Sequence, residues 1–213
     1  MSILAVIFDL DGVLVHTDQY HYQAWKRMAD EEGIVFDESV NDRLRGVSRM
    51  ESLEVILEKS GRTYTSVEKE ALAEKKNGYY RELLDRLTPA DAAPGSREII
   101  AACKQQGTKV AIGSSSRNTP VILERLGLTH MFEAVADGNE IVNSKPDPEV
   151  FLLAAKKLAI DPECCIVVED AEAGLVAAKR AGMKTAAMGT MINSPTADYR
   201  LHRLDELKAV IWG

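Results

Sequence analysis

Asp9 and Asp11 stand one residue apart at the end of the apolar run Ile3-Leu4-Ala5-Val6-Ile7-Phe8, followed by Gly12 and Val13. Alternate residues of an extended segment point the same way, so the two carboxylates can converge on one metal ion or one reacting atom. Like charges that close raise each other's pKa unless a cation or a proton intervenes. An Asx-type turn, with Gly12 as its permissive residue, is the alternative for this pair alone. Three further polar clusters follow apolar runs. Ser114-Ser115-Ser116-Arg117-Asn118 comes after Val110-Ala111-Ile112-Gly113, and its hydroxyls and amides suit an anion or, equally, a helix N-cap. Lys145 lies in Ser144-Lys145-Pro146-Asp147-Pro148, where proline restrains the backbone around it. Glu169-Asp170 closes Cys165-Ile166-Val167-Val168, a second carboxylate pair for which capping by Asp170 is the alternative. Together these groups offer oxygen ligands for a hard cation, Mg²⁺ rather than zinc, and hydroxyls and an ammonium for phosphate. A carboxylate can serve as a phosphoryl-accepting nucleophile and a second one as proton carrier.

The elements that position these groups alternate. A strand is expected over 4–8, 109–113, 134–136, 165–168 and 184–188, and helices over 96–105, about 118–127, 148–158, 171–181 and about 204–211. Strands alternating with helices predict a parallel, Rossmann-like α/β sheet. From about 20 to 87 the spacing is helical throughout: Tyr20, Trp25, Met28 and Ala29; Leu53, Ile56 and Leu57; Leu72, Tyr79, Tyr80, Leu83 and Leu84. The expected organisation is a discontinuous core, 1–16 with 90–213, and an inserted all-helical cap, 17–89. An insertion that follows Asp9 and Asp11 directly is a candidate lid.

The whole chain narrows the partners. Its 213 residues carry a net charge of −7, 46% hydrophobic and 28% charged residues, as in an ordinary globular protein. There is no dense basic block, which disfavours nucleic acid. No apolar run approaches the roughly 20 residues a membrane span needs, and Asp9 interrupts the N-terminal run too early for a signal peptide. The three cysteines, Cys103, Cys164 and Cys165, are an odd count with two adjacent; they read as reduced thiols of a cytoplasmic protein, and the adjacent pair, in an apolar run, as strand packing rather than chemistry. Nothing in the sequence demands more than a monomer.

In chain order the core carries Asp9-Leu10-Asp11-Gly12, Ser114, Lys145 and Glu169-Asp170. In this it resembles the haloacid-dehalogenase-like (HAD) superfamily, whose signature is Asp-x-Asp-Gly, a Ser/Thr, a Lys and an acidic pair. The insertion adds Thr17, His21, Trp25, Gly46-Val47-Ser48-Arg49 and Lys76-Asn77. With Thr88-Pro89-Ala90-Asp91 and Ser115-Ser116-Arg117-Asn118, these are similar to the mutases of that superfamily that act on β-glucose 1-phosphate. The resemblance implies Asp9 as nucleophile and Asp11 as general acid/base. It implies Mg²⁺ on Asp9, the carbonyl of Asp11, Glu169 and Asp170, and the transferring phosphoryl group on Ser114 and Lys145. It places the substrate's other phosphate on Arg49 with Gly46, Val47, Ser48, Ser116, Arg117 and Asn118, the last three beside Ser115. It gives His21 and Lys76 a part in coupling cap closure to Asp11, Thr17 a place at the site, and Trp25 one in the cap core nearby. β-Glucose 1,6-bisphosphate would be the activating intermediate. His16 departs from the acidic residue common in relatives, and Arg117 replaces a lysine. The rivals are a sugar-phosphate phosphatase on the same scaffold, against which Val13 and the cap residues lean, and a non-catalytic sugar-phosphate-binding regulator, against which the intact nucleophile argues.

Overall fold

The computed structural model describes residues 2–44 and 48–213. Two compact units are present, residues 1–16 with 88–213, and residues 17–87. The first unit is built on six parallel strands: β1 (Ala5–Phe8), β2 (Lys109–Gly113), β3 (Ala134–Ala136), β4 (Cys165–Glu169), β5 (Lys184–Ala187) and β6 (Tyr199–Arg200). Their spatial order is β3-β2-β1-β4-β5-β6. The four residues of β1 are all buried, as a central parallel strand covered on both faces must be. One face packs Ile7, Ala111 and Val167 against Phe151, Ala154 and Ala177 of the crossover helices. The order runs outward from β1 in both directions, so the reversal of connection lies between β1 and β4, where open α/β sheets place their ligands.

The residue register explains why separated motifs meet. Phe8 pairs with Ile112 on β2 and with Val168 on β4. One residue further along each strand brings Asp9 beside Gly113 and Glu169, and the Asp9 amide donates to the Val168 carbonyl at 3.0 Å. Helices of this unit are α5 (Ser96–Gln105), α6 (Thr119–Arg125), α7 (Glu149–Leu158), α8 (Glu172–Arg180) and α9 (Leu207–Trp212). The strand β6 has only two residues and carries no alternation that its sequence would betray. Cys103 and Cys165 are free and buried; burial pushes their thiols up to about 11 and about 12, which fits packing rather than reactivity.

The second unit holds α1 (Asp18–Glu31), α2 (Glu38–Asp42), α3 (Arg49–Leu57) and α4 (Ser66–Leu84). Its core gathers Trp25, Met28, Ala29, Phe36, Leu53, Ile56 and Leu72, the apolar positions that recur at helical spacing. α3 and α4 each begin with a capping box. Ser48 and Thr65 accept from the amides of Glu51 and Glu68, whose carboxylates accept in return from the cap amides. Lys76 and Asn77 break the amphipathic rule, because both are buried on the inner face of α4. No helix among the described residues is long and apolar enough to cross a membrane.

Candidate active site

At the carboxyl end of the sheet, Asp9, Glu169 and Asp170 offer carboxylate oxygens that all lie within 4.8 Å of one another. Asp9 leaves the end of β1 and Glu169 ends β4, so the adjacency of those strands puts both side chains at one place. Asp170 follows directly and leans over the turn after β1. Gly12 permits this approach. Its φ of +84° is a left-handed conformation, and a Cβ there would overlap the Asp170 carboxylate. Gly174, in the first turn of α8, plays the same part for Glu169, whose carboxylate occupies the space a Cβ would take. Sequence reasoning did not find Gly174; a glycine in the first turn of a helix four residues past an acidic pair is the signal that was there. The cap position of α8 is Ala171, with no side-chain cap bond, and not Asp170.

Lys145 is buried and delivers its ammonium into this cluster. Nζ donates to Asp9 Oδ1 at 2.6 Å and lies 3.4 Å from Glu169 Oε1. The ring of Phe151 lies 4.7 Å from the ammonium, a cation–π contact in a desolvated setting. Burial works against the charge of Lys145, but the Asp9 and Glu169 carboxylates outweigh it and hold the amine above its usual pKa. Burial, reinforced by the charge of Asp9, pushes Glu169 well above the carboxylate range, against the pull of Lys145. Glu169 Oε2 is buried and has no hydrogen-bond partner. An orphaned carboxylate oxygen is costly. Beside two more carboxylates, in an all-oxygen donor set, it fits a hard divalent cation. The residues present therefore suit such an ion.

Ser114 is buried at the end of β2, and its Oγ accepts from the Ser116 amide at 3.2 Å. The following loop is internally braced. Ser116 Oγ accepts from the Asn118 amide, and Ser115 Oγ lies 3.4 Å from the Lys145 amide. Arg117 Nε donates to the Gly138 carbonyl at 3.3 Å. Asn118 stands at the cap position of α6 but makes no side-chain cap bond. Among the carboxylates near β1, Asp11 is not a side-chain member of the cluster; it is half-buried in the tight 11–15 turn, where the Gly12 amide donates to the Val15 carbonyl at 2.7 Å.

Within the helical unit the predicted residues also gather. His21 Nδ1 lies 2.9 Å from Lys76 Nζ, and Lys76 Nζ lies 4.7 Å from the ring of Trp25. Thr17 is fully buried, its hydroxyl 2.9 Å from that of Tyr80. Arg49 donates to Asn77 Oδ1 at 2.9 Å and lies 3.5 Å from a carboxylate oxygen of Glu74. Burial, with the charges of Lys76 and Arg49, pushes the His21 imidazole well below its usual pKa. Ser48 spends its hydroxyl on the capping box. Gly46 and Val47 lie outside the described residues. Chemically the first unit offers a nucleophilic carboxylate held by an ammonium beside a cation cradle, and the second a buried ammonium, Lys76, a half-buried guanidinium, Arg49, and hydrogen-bonding groups around them.

A family model described as haloacid dehalogenase-like hydrolase matches residues 3–182. The chain is 46% identical over 187 residues to a beta-phosphoglucomutase of Bacillus subtilis (strain 168), covering 87% of this chain and 83% of that protein. It is 34% identical over 184 residues to a phosphorylated carbohydrates phosphatase of Thermotoga maritima, covering 84% and 82%. Among solved structures it is similar to beta-phosphoglucomutase from Clostridium difficile, with a TM-score of 0.90, 40% identity, and coverage of 97% of this chain and 93% of that one.

Proposed function

The chain belongs to the haloacid dehalogenase-like hydrolase family, and we propose that its reaction is that of a phosphosugar mutase, interconverting β-D-glucose 1-phosphate and glucose 6-phosphate. The observation that carries this reading is the Asp9–Lys145–Glu169 cluster with its orphaned Glu169 oxygen, set in a chain more similar to a β-phosphoglucomutase than to the phosphatase above.

Phosphorylated on a carboxylate oxygen, Asp9 donates its phosphoryl group to the 6-hydroxyl of β-glucose 1-phosphate. The acyl O–P bond breaks, the O6–P bond forms, and the hydroxyl proton passes to the Asp11 carboxylate. The resulting 1,6-bisphosphate then returns its 1-phosphate to Asp9. The O1–P bond breaks, Asp11 protonates O1, and glucose 6-phosphate leaves. Atoms balance with no net phosphate consumed, and the bisphosphate serves as activator. Lys145 and Ser114 hold the moving phosphoryl group; positioning and charge neutralisation are most of what this chemistry asks of a protein. Mg²⁺, held by Asp9, the Asp11 carbonyl, Glu169 and Asp170, supplies the neutralising charge when bound. For the phosphate that does not react, the candidates are Arg49 in the helical unit, whose guanidinium offers two parallel donors, and Ser116, Arg117 and Asn118 in the sheet unit. His21, Lys76 and Thr17 form the buried polar group of the helical unit, and the preference for sugar hydroxyl over water is assigned to that unit. The protein acts as a cytoplasmic monomer in this reading, where reduced cysteines are at home.

One assay tests it. The protein is incubated with β-glucose 1-phosphate, a trace of β-glucose 1,6-bisphosphate and Mg²⁺, and glucose 6-phosphate is followed by a coupled dehydrogenase alongside free phosphate. Glucose 6-phosphate without phosphate release is the expected result. Phosphate release without glucose 6-phosphate would replace the mutase with a phosphatase on the same scaffold.

A further inference from the structure

Two pairs of residues face each other between α1 and α4, each pair one helical turn apart: His21 and Trp25 on one helix, Lys76 and Tyr80 on the other. Tyr80 is 1% exposed and ranks among the largest fully buried side chains. Yet it lies outside the apolar cluster that forms the core of this unit. Three polar side chains meet it. The His21 ring stacks on it at 4.0 Å between centroids, with the planes 27° apart. Lys76 Nζ sits 4.8 Å from the same ring, and its hydroxyl reaches Thr17 Oγ1 at 2.9 Å.

We propose that Tyr80 is a positioning residue: its ring face holds the His21 imidazole and the Lys76 ammonium in one arrangement, and its hydroxyl ties that pair to Thr17. The proposal rests on the reading that His21 and Lys76 serve the transfer reaction. The physical case is one of restraint. A lysine ammonium has three donors and no acceptor, so Nδ1 of His21 accepts from it and the imidazole is neutral, in line with its depressed pKa. A neutral imidazole and one hydrogen bond do not by themselves fix a long flexible amine. The electron-rich faces of Tyr80 and Trp25 take the rest of its charge. A flat ring also fixes the tilt of the imidazole lying on it. A tyrosine serving only as filler needs a single partner for its hydroxyl, whereas here both the ring and the hydroxyl meet residues of the predicted site.

The test separates the geometry from the function. The chain has four histidines, so the His21 ring protons in a histidine-selective NMR spectrum are assigned by their loss in H21Q. In the wild type the stacked Tyr80 ring moves them upfield. Ordinary shifts would overturn the stacking, whatever the enzyme's activity. Y80F keeps the ring and loses only the tie to Thr17, so it is expected to keep the upfield shift and to lower turnover by less than the ringless variant does. Y80L is expected to lose the shift and to lower kcat about tenfold, within the span of a desolvated cation–π contact, with KM for β-glucose 1-phosphate moved less than kcat. Should Y80L not fold by circular dichroism, Y80M, which fills the space without a ring, takes its place. A ringless variant with kcat unchanged, or a Y80F as impaired as the ringless variant, would overturn the proposal. A wild type that makes no glucose 6-phosphate would instead overturn the mutase reading and leave the stacking result standing.

Discussion

Replacing Lys145 with methionine removes a buried charge while keeping an unbranched stem of similar length. The consequence follows from two distances. At an effective dielectric of about 20, contacts of 2.6 Å to Asp9 and 3.4 Å to Glu169 correspond to gross attractions of roughly 6 and 5 kcal/mol. Desolvating each ion offsets several kcal/mol of that. Truncating one member of a buried ion cluster costs about 3–5 kcal/mol, chiefly because the remaining charges stand uncompensated. That is the expected loss for K145M at pH 8 without divalent cations, read as the difference in urea unfolding free energy by far-ultraviolet circular dichroism. The loss then depends on pH. Glu169 titrates above its unfolded value of about 4.3 already in the wild type, and without the opposing pull of Lys145 it rises further. Between the unfolded and the folded pKa the folded state binds more protons than the unfolded one. Stability therefore increases as pH falls through that window. The wild-type lysine contributes no compensating slope: its raised pKa makes its stabilisation fully present below its unfolded value of about 10.4, lost only above that. The deficit of K145M is thus expected to narrow between pH 8 and pH 5.5. A deficit identical at the two pH values would refute the reasoning, since it would mean the lysine acts through packing alone.

Two further perturbations test the supports of the site and of the helical unit. Gly174→Ala puts a methyl group where the Glu169 carboxylate lies, so the carboxylate must rotate out of the cation cradle; Mg²⁺ affinity by calorimetric titration should fall about 10- to 100-fold, while a near-wild-type far-ultraviolet spectrum shows α8 intact, and an unchanged affinity would remove Gly174 from its role. Glu51 and Glu68 are held below the usual carboxylate range, Glu51 first by its Ser48 contacts and Glu68 by the Thr65 amide and hydroxyl. Depressed folded pKa values mean stability present above about pH 4.3 and lost as pH falls through them, so the thermal midpoint should drop between pH 5 and pH 3, and an E51Q/E68Q double variant that shows the same drop would point to other carboxylates.

Much of the core was legible because its signals are local. The apolar run of β1 followed by Asp9, the alternation of strands and helices from 96 onward, and the two acidic pairs are each readable within a few residues, and periodicity reports directly which face a segment buries. In the helical unit the same logic placed Trp25, Met28, Leu53, Ile56 and Leu72 inside, as found. It had no means of placing Lys76 and Asn77 there, since periodicity assigns charged and amide side chains to the solvent; their burial depends on the partners across from them. Nor could it see β6, two residues long and held by pairing to β5.

What the amino-acid sequence determined by itself was the inventory: which carboxylates, hydroxyls and cations the chain owns, the elements that end at them, and the family whose order of motifs they follow. Tertiary structure decided the distances. The pairing of β1 with β4 brings Asp9 beside Glu169 across some 160 residues of chain, and the approach of Lys145 turns two like charges into a cluster around a cation. It also decided which small residues matter, since Gly12 and Gly174 are needed only because a carboxylate from another turn fills the space beside them. The physical reason is one of range. Propensity and periodicity act over a helical turn or a strand, whereas the pKa of Glu169, the charge of Lys145 and the stacking of His21 on Tyr80 are set by groups that only folding brings within a few ångströms.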